Sequence, residues 1–164
     1  ERSEYWFLRG ILYAALNSDA LSMAKATESL IRAVELNPDH GRARLLLARV
    51  LQEQGKFLLA AEQYRLLIGK EPQKATGLVV GPLALCYVAD DRIKDGITYF
   101  KNLSLQYPRS VAIATSLAVL LKSDDQTALA IKELQRVSSL KTGPDAERTY
   151  VRDLLGEWAK GGNQ

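Results

Sequence analysis

Cysteine is almost absent from this chain: the single Cys86 rules out an intramolecular disulfide, and no CxxC pair is present to hold zinc. Histidine is as scarce. His40 alone carries an imidazole, and within the polar turn "NPDHGR" it reads as a solvated turn residue rather than a base. Cys86, between Leu85 and Tyr87, has no histidine placed to activate it and reads as a small core residue. Neither GxGxxG nor GxxxxGK[ST] occurs, so no phosphate cradle is signalled. No catalytic, cofactor-binding or metal-ligating residue is assigned: the sequence reads as that of a non-enzyme with no cofactor.

Long apolar runs are also missing, with none near the roughly 18 residues a membrane helix needs, so this segment is not expected to insert in a bilayer. An excess of one charge is lacking too. The 22 cations are scattered among 19 anions, and a net charge of +3 does not mark a nucleic-acid surface. The chain begins at Glu1 rather than methionine, which suggests a processed or excised fragment and leaves its compartment unread.

What is abundant is apolar residues, 47% of 164, enough for one domain (1–164) that buries roughly 70% of its unfolded surface. Their spacing repeats. Pro38 and Pro72 lie 34 residues apart, each ending an apolar helical stretch, and Pro108 follows 36 residues further on. Twelve residues before each proline stand Ala26, Ala60 and Gly96, and four residues after these come Leu30, Tyr64 and Phe100. A small side chain lets a neighbouring helix approach, and the large one a turn later fills the space beside it. Ala130 and Leu134 continue the pattern with Thr142 in the proline's place. Upstream, Leu47-Ala48, Leu83-Ala84 and Leu117-Ala118 recur thirteen residues before the small residue, with Leu51, Tyr87 and Leu121 one turn on.

This arrangement resembles the tetratricopeptide repeat, a 34-residue helix-turn-helix unit with the pattern W-x2-L-G-x2-Y, A-x3-F, P. The first copy supplies Trp6, Gly10 and Tyr13 at that spacing, but has Arg9 for the usual leucine and four extra residues around "NSDALS". Arg44, Val80 and Ala114 replace the tryptophan in the other copies. In the third, two extra residues fall near "QKAT", and Gly81-Pro82 predicts a first helix that starts late or kinks. The repeats span about 4–38, 39–72, 75–108 and 109–142. A capping helix over about 144–160, entered at Pro144, presents Tyr150, Leu154, Leu155 and Trp158 on one side. The resemblance implies an all-α, right-handed α-solenoid of about nine helices. Asp90-Asp91 and Asp124-Asp125 fall in hairpin turns where Gly55 stands in the second copy, and are expected to cap the helices that follow.

The resemblance further implies that the first helix of each repeat lines a concave groove. Its residues would be Phe7, Leu8, Ile11, Arg42, Leu45, Leu46, Arg49, Gln52, Leu78, Leu85, Val88, Ala112, Thr115, Ser116, Val119 and Lys122. The polar donors of a peptide-carboxylate clamp are missing at Phe7, Ile11 and Leu46. An apolar groove edged by Arg42, Arg49 and Lys122 suits an amphipathic helix or an extended apolar peptide of a partner protein, with acidic flanks. A second copy of the chain, or its own neighbouring helices, would cover the same residues. Function is thus expected to be that of a non-catalytic protein-protein interaction scaffold. A chaperone or secretion-type accessory protein shielding a client, and a regulatory domain of a larger enzyme, are the alternatives.

Overall fold

The computed structural model describes residues 2–16, 19–70, 75–140 and 144–161. Among them are nine α-helices and no strand: α1 (Arg2–Leu16), α2 (Ala20–Leu36), α3 (Gly41–Glu53), α4 (Phe57–Lys70), α5 (Gly77–Ala89), α6 (Ile93–Gln106), α7 (Val111–Ser123), α8 (Thr127–Ser138) and α9 (Asp145–Gly161). They form two compact units, Glu1–Lys74 and Ala75–Gln164. The boundary falls at "QKAT", the place where the third repeat carries its extra residues. Pro72, Gln73, Lys74, Thr142 and Gly143 lie outside the described residues.

In the first unit α1 pairs with α2 and α3 with α4, and α2 packs across to α3. Its core is the small-large pattern: Ala26, Leu30, Ala60 and Tyr64 are all fully buried, with Leu47, Ala48 and Leu51 under 5% exposed. A Cβ on Gly10 would stand 2.7 Å from Leu30 Cδ2, so glycine is what lets α1 and α2 close. Asp19 starts α2, its carboxylate accepting from the Ser22 N–H at 2.6 Å.

The positions that depart from the tetratricopeptide pattern are accommodated locally. Arg9, in the leucine position, lays its guanidinium 4.9 Å from the Trp6 ring centre and 5.6 Å from that of Tyr13. Arg44, in a tryptophan position, is only 7% exposed and donates to Gln63 Oε1 at 3.0 Å and to the Pro38 carbonyl at 2.9 Å.

In the second unit α7 packs against α5, α6, α8 and α9. Gly96 and Phe100 are buried, as are Ala130, Leu134 and the Leu83-Ala84 and Leu117-Ala118 pairs. A Cβ on Gly96 would lie 2.8 Å from Tyr87 Cγ, so α6 also meets its partner through a missing side chain. The capping helix buries Val151, Leu154 and Trp158. Tyr150 is 52% exposed, which shifts the expected apolar side by one residue.

Two expectations are corrected. α5 does not start late: it begins at Gly77, three residues before Val80, just as α3 begins three residues before Arg44. Pro82 sits inside it, depriving the Leu78 carbonyl of its usual N–H beside a side chain that is 70% exposed. The paired aspartates do not cap the next helix either. The residues before α6 and α8 are Arg92 and Gln126, neither with a capping side-chain bond. Asp91 and Asp125 instead occupy the left-handed turn position, at φ 53° and 59°, that Gly55 fills at 72°. Asp124 accepts from Gln126 Nε2 at 2.5 Å. The chain must reverse there, and aspartate tolerates the reversal as glycine does, through local side-chain hydrogen bonds.

Candidate functional site

In the first unit the candidate face is carried by α1 and α3. Leu8 is 56% exposed, Ile11 36% and the neighbouring Leu12 60%; Arg42 and Arg49 are exposed, and Leu45 and Leu46 are half-buried. Phe7 belongs to the core instead. It is 3% exposed, its ring 4.7 Å from that of His40 and 4.9 Å beneath the Arg42 guanidinium. Gln52 is half-buried and tied to the packing side, its Oε1 accepting from the Tyr64 hydroxyl at 3.1 Å.

His40 is not a solvated turn residue. Its Nδ1 accepts from the Ala43 N–H at 3.3 Å, capping α3, while Nε2 lies 3.0 Å from Glu4 Oε2 on α1. The cap requires the tautomer with the proton on Nε2, which then donates to the carboxylate. The imidazole is thus employed in holding α1 to the start of α3.

In the second unit α5, α7 and α9 enclose a groove of about 350 Å³. Its walls are Gly81, Pro82, Ala84 and Leu85 from α5, and Ala112, Thr115, Ser116 and Val119 from α7, closed by Gly77, Glu147 and Tyr150. Leu85 is 53% exposed, whereas Ala112, Thr115 and Ser116 form a floor less than 9% exposed. Thr115 donates back to the Val111 carbonyl at 2.8 Å. Val88 is half-buried on the same helix as Leu85, one turn beyond the lining. Lys122 is drawn away from the lining, its ammonium 4.9 Å from the Trp158 ring centre.

Glu147 and Tyr150 were not legible as groove residues, because nothing in the sequence says where the capping helix comes to rest. α5 gives a physical account of that placement. Thr76 precedes it without a capping side-chain bond, and the Glu147 carboxylate lies against the start of the helix instead, its Oε1 3.3 Å from where a Cβ on Gly77 would stand. Burial pushes the Glu147 carboxyl above its ordinary value, an effect that the neighbouring Gly77 N–H partly opposes.

Cys86 is 1% exposed, and burial, with the Asp90 carboxylate adding to it, pushes its thiol up to about 11. It is held as an unreactive thiol at neutral pH. Among the described residues, no group of three or more His, Cys, Asp or Glu could hold a metal ion, and no helix is long and apolar enough to cross a membrane.

No family model matches the sequence, and no curated protein matches it either. Solved structures do. The chain is similar to MamA 41-end from Desulfovibrio magneticus RS-1, with a TM-score of 0.61 and 20% identity over 87% of this chain and 77% of that one. It is similar to MamA of AMB-1 at TM-score 0.61 and 18% identity, over 91% of this chain and 78% of that one. The thermophilic TPR protein TTC0263 of Thermus thermophilus gives a TM-score of 0.61 and 18% identity, covering 98% of this chain and 83% of that one. Identities this low speak to architecture alone, and with the buried small-large repeat they establish that the chain has the tetratricopeptide-repeat fold, an all-α array of helix-turn-helix units.

Proposed function

We propose that the chain is a protein-interaction scaffold whose second-unit groove holds an apolar segment of a partner protein. The observation that carries this reading is the groove between α5, α7 and α9. It opens to solvent and is lined by Pro82, Leu85 and Val119, with Leu85 left 53% exposed although Leu83 on the same helix and Leu117, Leu120 and Leu121 on α7 are buried. A soluble surface keeps an apolar concavity of this kind when something else covers it. The face of α1 and α3, with Leu8 and Ile11 exposed beside Arg42 and Arg49, is a second contact surface of the same scaffold. Fold alone does not carry this reading, because one fold serves many functions.

The test is affinity capture from a lysate with the wild-type chain beside Leu85→Asp and Leu8→Asp variants. A partner retained by the wild type and by Leu8→Asp but lost with a folded Leu85→Asp assigns it to the second-unit groove. Identical captured sets for all three proteins would overturn the groove assignment.

A further inference from the structure

The groove is apolar in its walls but not electrically neutral. Of the described side chains that line it, Glu147 alone is formally charged. Its carboxylate has the Gly77 N–H beside it and makes no ion pair among the described residues. The adjacent Arg148 is committed elsewhere, to Asp145. A half-buried carboxylate with neither full hydration nor a cation is in an unfavourable setting that an incoming positive charge relieves.

Two neighbours give that charge an address. Tyr150 stands three residues along α9 from Glu147, on the same helical face and at the rim of the same groove, where its ring can flank a cation held by the carboxylate. On the floor, Ser116 is 6% exposed and its hydroxyl makes no hydrogen bond among the described residues. Other helical hydroxyls in the chain, those of Thr115 and Ser123 on the same helix, bond back to the carbonyl four residues earlier. Ser116 leaves a donor and acceptor spare for a peptide group entering the groove.

Resting on the groove reading above, we propose that the second-unit groove selects a peptide in which an apolar anchor is flanked by a basic group, a lysine, an arginine or a free N-terminal amine. The anchor packs between Pro82, Leu85 and Val119, the cation pairs with Glu147 beside Tyr150, and Ser116 takes a backbone group. This is the opposite sign to the acidic flanks expected from Arg42, Arg49 and Lys122. The first two belong to the other unit's face, and Lys122 is stacked on Trp158.

The experiment is selection of a random displayed-peptide library on the full chain, followed by affinity measurement of a selected peptide. The expected outcome is enrichment of lysine or arginine next to leucine, isoleucine or phenylalanine. Glu147→Gln, which keeps an oxygen for the Gly77 N–H, should weaken binding about tenfold, as a lost charge-assisted hydrogen bond does. Added salt should weaken the wild-type complex independently of any variant. Acidic or neutral flanks, or affinity unmoved by both Glu147→Gln and salt, would overturn the charge assignment while leaving the groove in place if Leu85→Asp abolishes binding. If Leu85→Asp binds the selected peptides as well as wild type does, or if the library yields none, the groove reading itself is refuted.

Discussion

Leu83 and Leu85 lie two residues apart on α5, so their side chains leave the helix on nearly opposite faces, and they make opposite predictions. Leu83 is fully buried and Leu85 is 53% exposed. Truncating Leu83 to alanine removes three buried carbons at about 0.8 kcal/mol each. A cavity term for the space that cannot collapse adds to this, giving about 3 kcal/mol within the usual range of roughly 2–5. Replacing Leu85 with aspartate removes apolar surface that water already reaches, and should cost about 0.5 kcal/mol or less. Urea titration followed by far-UV circular dichroism measures both. For a unit of 75–164, the first change should also lower the melting temperature by about 10 °C or more, and the second by a few degrees at most. Equal losses would mean that Leu85 is structural and that the groove is part of the core.

The two kinds of glycine should respond to alanine with opposite signs. Gly96→Ala places a methyl 2.8 Å from Tyr87 Cγ and 3.1 Å from Leu120 Cδ2, so roughly 1–3 kcal/mol of overpacking should outweigh a helix-propensity gain of about 1. Gly156→Ala meets nothing within 4 Å and should stabilise by up to about 1 kcal/mol in the same denaturation assay. At His40, asparagine should preserve much of the α3 cap and alanine should lose it, separating the two variants by about 1 kcal/mol. For Glu147 the folded carboxyl is raised above its ordinary 4.5 by burial, so the native state favours the protonated form. That contribution is full below pH 4.5 and is lost as pH rises through the folded value. The stability of Glu147→Gln relative to wild type should therefore increase between about pH 4 and pH 7, and a flat difference would argue against a desolvated carboxylate.

What the sequence made legible and what it hid divide along the range of the interactions involved. The pairs Ala26-Leu30, Ala60-Tyr64, Gly96-Phe100 and Ala130-Leu134 are local, one helical turn each. Their repetition exposes the packing rule because every copy solves the same problem of bringing two helices close. Position within a turn was equally legible at Asp91 and Asp125. Their role was not, since only the backbone angle separates a reversal residue from a helix cap. Phe7 on its helix and His40 in its polar turn are each legible only against local neighbours, whereas the ring of one is covered by the other, from an element more than thirty residues away. The groove shows the same limit most plainly. Leu85, Thr115, Ser116 and Val119 follow from the repeat register, but the charge that gives the groove a sign comes from Glu147, on a helix that repeats nothing. The repeats therefore supply an apolar surface common to the architecture, and the non-repeating cap supplies what distinguishes this groove from another built on the same plan. Exchanging α9 while keeping α5 and α7 should then alter which peptide is preferred more than whether an apolar peptide binds.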